Sequence, residues 1–194
     1  MVQLKQRFES FEDYLACDDG TDNLYELFNG ELIQVPPEPG INVEIANFLL
    51  LLWLPLVGHR RIRGHGLELE VRGEPRNCYP DLTILKEEQV EQLRRRNTLR
   101  IAMGPPDLVA EIVSPGEVQR HRDYIAKRLQ YQDLGIPEYW IVDPQTATVL
   151  VLELVDGVYG EAATLSGEDE LRSRPLGSFG TTAQQLFAAA APPD

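Results

Sequence analysis

The spacing of apolar residues changes repeatedly along the chain, and each change marks an element. Leu108-Val109-Ala110-Glu111-Ile112-Val113 is apolar at all but one position and is closed by Ser114-Pro115, the pattern of a short strand buried on both faces. Earlier, Ile45, Phe48, Leu49, Leu52, Trp53 and Leu56 recur at helical spacing and predict the main core helix, capped by Asn42 and carrying Glu44 in its first turn. Ser10-Phe11-Glu12-Asp13 matches a capping box and predicts a helix through Ala16, with Phe11, Tyr14 and Leu15 turned inward. Residues 18–23 read as an acidic loop. Residues 25–28 and 31–35 then form a hairpin around Asn29-Gly30, and Pro36-Pro37-Glu38-Pro39-Gly40 breaks the chain.

Residues 60–71 alternate imperfectly and predict a strand whose wet face carries Glu68 and Glu70. Residues 80–85 predict a strand with Asp81 at its mouth, and residues 87–99 a surface helix exposing Arg94, Arg95 and Arg96. A helix after Pro115-Gly116 is expected to run to Leu134 and stop at Gly135, with Pro137 just beyond. Strands at 139–143, 148–155 and 158–163, a loop at 167–170 and a terminal helix at 182–190 complete the pattern. This order predicts an α/β (α+β) fold, a mixed β-sheet flanked by helices; the hairpins exclude an all-parallel sheet. With 194 residues, 43% of them hydrophobic, the chain is expected to be one domain spanning 1–194.

The leucine-rich run 45–57 is interrupted by Pro55 and is too short to cross a bilayer, and residues 1–10 lack a signal-peptide core, so no membrane association is expected. Cys17 and Cys78 show no metal or redox spacing, which fits free thiols and a cytoplasmic location. The net charge of −13 argues against a uniform nucleic-acid surface. Its distribution is uneven: residues 58–128 hold 14 of the 18 Lys and Arg and 11 of the 31 Asp and Glu. An anionic partner is expected to dock on this middle segment rather than elsewhere.

Glu111 is the anomaly that carries chemistry. An ionised carboxylate inside an apolar strand costs several kcal/mol unless a cation, a donor or a proton meets it. On the following helix, at ~100° per residue, Lys127 falls within the arc of Tyr124, Tyr131 and Leu134, and Arg120 lies on the same arc two turns earlier. Asp81, Glu111 and Lys127 are therefore expected to converge, with Glu26, Glu44, Arg120 and Tyr131 as candidate neighbours. Two carboxylates beside a lysine suit Mg2+ or Mn2+ and a phosphoryl substrate. Alternatives remain: a buried ion pair of Glu111 with Lys127 or Arg120 and no metal, or a metal-free pair of carboxylates of the glycosidase type. Asp107, in a second Pro-Asp dipeptide, lies about 13 Å along the strand from Glu111, too far to share an ion, and reads as a strand-start residue. Glu138 and Asp143 read as structural, and Glu26 is open.

Pro80-Asp81, Glu111-Ile112-Val113-Ser114-Pro115, Lys127 with Tyr131, the run 135–144 and the stretch Tyr25 to Leu32 resemble the Uma2 family, over roughly residues 8–160, leaving 164–194 as a C-terminal extension. The resemblance implies the restriction-endonuclease-like fold of the PD-(D/E)XK superfamily and a metal-dependent endonuclease acting on DNA. It assigns Asp81 and Glu111 as metal ligands and Lys127 as a migrated replacement for the lysine that Val113 displaces. Asn42 stands where many members carry His. A homodimer is the expected assembly. The alternative is a non-catalytic nucleic-acid-binding or regulatory module on a degenerate nuclease fold, motivated by Val113 and the acidic surface.

Overall fold

The structure is a computed structural model that describes residues 7–17 and 20–190; the expected loop at 18–23 lies partly outside them. Among the described residues, helix α1 (Phe11–Ala16) precedes the hairpin β1 (Tyr25–Phe28) and β2 (Glu31–Gln34), and α2 (Gly40–Val57) follows. The hairpin turns where expected: Asn29 and Gly30 both take positive φ, 50° and 77°, as a two-residue type I′ turn requires. At Gly30 a side chain would also stand 2.8 Å from the Phe8 carbonyl, so only glycine fits.

The centre is a mixed sheet in which β11 (Val158–Ser166), β10 (Thr148–Val155), β9 (Glu138–Asp143), β8 (Leu108–Ile112), β6 (Leu82–Ile84) and β3 (Ile62–Gly64) lie side by side in that order. Strand β8 pairs parallel with β9 and antiparallel with β6. The parallel pair requires a crossover, supplied by one continuous helix made of α4 (Glu117–His121), a π-helical turn (Arg122–Lys127) and α5 (Arg128–Leu134). Gly135, left-handed at φ 80° and ψ 29°, ends it as the sequence predicts.

Alternation along the strands divides the core between the two faces. Leu108, Ala110, Ile112, Trp140 and Val142 pack toward Ile45, Leu49 and Trp53 of α2, while Val109, Val113, Tyr139 and Ile141 share a cluster with Tyr131 of α5. Trp53 and Trp140 meet edge to face, 5.4 Å between centroids. All five residues of β8 are buried, so Glu111 does lie inside a doubly covered strand.

Several expectations need correction. Helix α2 begins at Gly40 with Pro39 in the capping position, so Asn42 is not a cap, and Glu44 lies beyond the first turn and is exposed. Pro55 sits in the last turn without ending the helix, which gives α2 18 residues, long and apolar enough by length and composition to cross a membrane. In this fold its Ile45, Leu49 and Trp53 pack on the sheet, while Leu51 and Leu56 are exposed and Phe48 and Leu52 half-buried, a narrower face than the six-residue one expected.

The strand expected over 60–71 is broken into β3 and β4 (Glu68–Glu70), and its wet face is partly dry. Glu68 is buried, accepting hydrogen bonds from Asn77 Nδ2 at 2.8 Å and Thr98 Oγ1 at 2.5 Å. Helix α3 (Glu87–Gln92) stops early, and β7 (Thr98–Leu99) pairs with β4, which also pairs with β5 (Asn77–Cys78). A second hairpin, β12 (Glu170–Ser173) and β13 (Gly177–Thr182), begins at the end of the expected loop and fills a stretch for which the sequence pattern predicts no element, and α6 (Ala183–Ala188) follows, capped by Thr182.

Candidate active site

Leu82 opposite Ala110 is the last pair of the β6–β8 ladder, and Asp81 and Glu111 are the residues that follow it on the two strands' paths. The Glu111 carboxylate bears directly on Asp81, so the two carboxyls are neighbours. The Ile112 amide donates to Asp81 Oδ2 at 2.7 Å, fixing that carboxylate at the strand mouth. Both acids are buried, 6% and 2% exposed.

Lys127 completes the expected convergence. Its Nζ lies 2.7 Å from Glu111 Oε2, and the Tyr131 hydroxyl donates to Glu111 Oε1. The sequence reading missed the third partner, Asp123, whose Oδ1 lies 3.5 Å from Nζ and also accepts from Arg122 Nε at 3.2 Å. Asp123 is fully buried. The Tyr139 hydroxyl pins its backbone carbonyl at 2.9 Å. At about 100° per residue Asp123 falls about 20° outside the arc, beside Leu134, and the π-helical turn carries it fully to the inner side.

Burial alone would depress the Lys127 ammonium, but Glu111 and Asp123 outweigh it and hold it above the ordinary lysine value. Burial raises the Glu111 carboxyl against the pull of Lys127. Asp81 is held well above its usual range, first by burial and then by the Glu111 carboxylate, with Lys127 and the Ile112 amide offsetting only part. Cys78, 3.4 Å from the Tyr131 hydroxyl, is an inert buried thiol pushed up to about 12 by desolvation.

Glu38 and His65 also reach the site, and the sequence reading named neither. Glu38 comes from the proline-rich loop before α2, and His65 from the turn between β3 and β4. One ligand atom from each of Glu38, His65 and Asp81 lies within 4.8 Å of the others. Asn42, buried on α2, donates to the Ile112 carbonyl at 2.9 Å and to Ser114 Oγ at 3.0 Å, and Ser114 Oγ donates to Glu38 Oε2 at 3.4 Å. The proline-rich loop is thus tied to the end of β8. The only sequence signal for this was a polar Asn in the first turns of an apolar helix.

Other candidates fall elsewhere. Arg120 pairs with Asp143, not Glu111, and its guanidinium lies 4.2 Å over the Tyr124 ring, whose hydroxyl reaches Asp143 at 3.1 Å. Glu44 points to solvent. Glu26 is half-buried on β1, its carboxyl raised by desolvation and drawn down by Lys127 and Arg122, so it faces the ion-pair network. Asp107 pairs with Arg61 at 2.7 Å, a structural role, as expected. Glu138 accepts from Trp140 Nε1 at 2.6 Å and from the Arg174 amide at 2.7 Å, also structural. Much of the basic character of the middle segment is spent internally: Arg60 pairs with Glu91, Arg96 with Glu68, and Arg100 with Glu12 and Glu70.

A mixed sheet whose central strands bring a buried Asp and Glu to one end, beside a buried Lys from the crossover helix, defines the class expected of restriction-endonuclease-like folds. The family model of Uma2, described as "Putative restriction endonuclease", matches residues 9–184, and the chain belongs to that family. A solved structure, described as a putative nuclease belonging to DUF820 from Anabaena variabilis ATCC 29413, is similar in fold, with a TM-score of 0.69 at 17% identity over 93% of this chain and 98% of that one. No curated protein matches the chain.

Proposed function

We propose that this chain is a divalent-metal-dependent endonuclease that hydrolyses DNA phosphodiester bonds. The observation that carries the reading is the Asp81–Glu111–Lys127 set: two buried carboxylates where β6 begins and β8 nears its end, with an ammonium 2.7 Å from one of them. The residues fit a divalent cation, because Asp81 is a hard oxygen donor among like charges, with Glu38 and His65 within ligand reach. When bound, Mg2+ or Mn2+ would polarise a phosphoryl oxygen and acidify an attacking water. Asp81 holds the ion. Glu111, braced by Tyr131, orients Lys127, and Lys127 offsets negative charge developing on the phosphoryl group. A homodimer supplies two such centres for a double-strand cut.

The test offers linear, supercoiled and single-stranded DNA to the purified protein with Mg2+ or Mn2+. Asp81→Asn and Glu111→Ala are expected to lower cleavage by about a hundredfold or more. Equal traces of cleavage from wild type and Glu111→Ala would mark contamination and end the proposal. A second reading, a nucleic-acid-binding or regulatory module without catalysis, is favoured by one observation: the buried Lys127 is already shared between two carboxylates. DNA binding that is insensitive to divalent ions and to Asp81→Asn, with no cleavage, would support it.

A further inference from the structure

We infer that the cation seat of this nuclease is built by Glu38, His65 and Asp81, with Glu111 committed to Lys127 instead of to the ion. The inference rests on the metal-dependent reading above and names the residues that hold the metal. Three segments far apart in sequence bring one carboxylate, one imidazole and a second carboxylate together within 4.8 Å. Two ligands on one divalent ion, each at about 2.1 Å, stand about 3–4.3 Å apart, so small side-chain rotations close the set.

The demand for a cation is unmet at Asp81 and met at Glu111. Asp81 is more than nine-tenths buried, and its Oδ2 is taken by the Ile112 amide. Its Oδ1 faces His65 Nδ1 at 4.0 Å, beyond hydrogen-bond distance. The nearby ammonium, Lys127, is held by Glu111 and Asp123. Both Glu111 oxygens have partners: Tyr131 on Oε1 and Lys127 on Oε2. A shared ion between Asp81 and Glu111 would sit against the Lys127 ammonium, a like charge; one between Asp81, His65 and Glu38 meets two carboxylates and an imidazole.

The seat is also supported and open. Asn42 and Ser114 anchor Glu38 from behind. A cavity of about 240 Å³ lined by Pro37, Val43, Leu50 and the three donors gives access from the α2 side. One imidazole nitrogen with two carboxylates suits Mn2+ or a later first-row divalent ion better than Mg2+ or Ca2+.

Titration of the full chain with Mn2+, followed by electron paramagnetic resonance, tests this directly and needs no turnover. Wild type is expected to bind one Mn2+ showing the nitrogen modulation of a bound imidazole. His65→Ala should abolish the modulation, and His65→Ala and Glu38→Gln should each weaken binding at least about tenfold. Glu111→Gln should leave both affinity and modulation near wild type, and circular dichroism checks that each variant folds. Persistence of the modulation in His65→Ala overturns the inference, as does absence of Mn2+ binding. Mn2+ held without imidazole and lost in Glu111→Gln also overturns it, yet leaves the nuclease reading standing. Conversely, cleavage that survives Glu111→Ala ends the nuclease reading and leaves this seat intact.

Discussion

Replacing Lys127 by Met keeps the length of the side chain and removes the charge that Glu111 and Asp123 share. These two acids are 2% and 0% exposed, so water cannot take over the role of the ammonium. Removing one partner of a buried ion pair costs about 3–5 kcal/mol, chiefly because the surviving charge is stranded. Here the stranding is partial: Asp123 keeps Arg122 at 3.2 Å, and Glu111 keeps the Tyr131 hydroxyl. The lower end, about 3 kcal/mol, is therefore expected. At about 2–4 °C per kcal/mol for a chain of this size, the midpoint should fall by about 6–12 °C. Urea unfolding followed through the buried Trp53 and Trp140 gives the number, provided m is unchanged. The double variant Glu111→Leu/Lys127→Met should recover a large part of the loss, because it removes a charge along with its partner. A loss below about 1 kcal/mol for Lys127→Met would put the contact in the range of exposed pairs and refute the dry-site reasoning.

Burial raises the carboxyls of Asp81, Glu111 and Glu138. A group with a raised folded-state value contributes stability that is complete below its unfolded value and lost as pH rises through the folded one, so without divalent ions the urea midpoint should increase from pH 7 toward about pH 5. A steady fall over that range would contradict it. Asn42→Ala removes two donated hydrogen bonds and should cost about 1–3 kcal/mol, read from the same unfolding curves. Asp107→Asn alters only the half-exposed pair with Arg61 and should change stability by about 1 kcal/mol or less while leaving cleavage at wild-type rate; loss of cleavage would return Asp107 to the site.

The hydrophobic pattern carried most of the fold. Strand β8, the hairpin at Asn29-Gly30 and the Gly135 stop follow from local periodicity and turn chemistry, and the structure has each where the pattern puts it. The convergence of Glu111 and Lys127 was legible too, because a charge within an apolar stretch of strand or helix must find company. What failed depended on partners distant in sequence. Glu68 looks wet in a window of alternating residues and is dry because Asn77 and Thr98 reach it from other strands. His65 and Glu38 sit in turns with no periodicity, so nothing local reveals that they face Asp81. Arg120 shares the apolar arc of Tyr124, but Asp143 at the end of β9 claims it.

The π-helical turn has a consequence for what this gene tolerates. Asp123, Lys127 and Tyr131 are spaced by four, and in a regular α-helix each such step drifts by about 40°, which would fan the three side chains apart. The wider turn between Asp123 and Lys127 takes up more residues per revolution and cancels part of that drift, so that Asp123 reaches Lys127 while Lys127 and Tyr131 both reach the Glu111 carboxylate. Deleting a single residue from 122–126 would let the wide turn tighten into a regular helix, with undiminished far-ultraviolet dichroism: five residues at about 100° each turn through about 500°, close to what six cover in the wide turn, so Tyr131 keeps its bearing on Glu111. A segment that looks like an ordinary surface helix is, on this account, able to lose one residue at its wide turn and still present Tyr131 to the buried carboxylate.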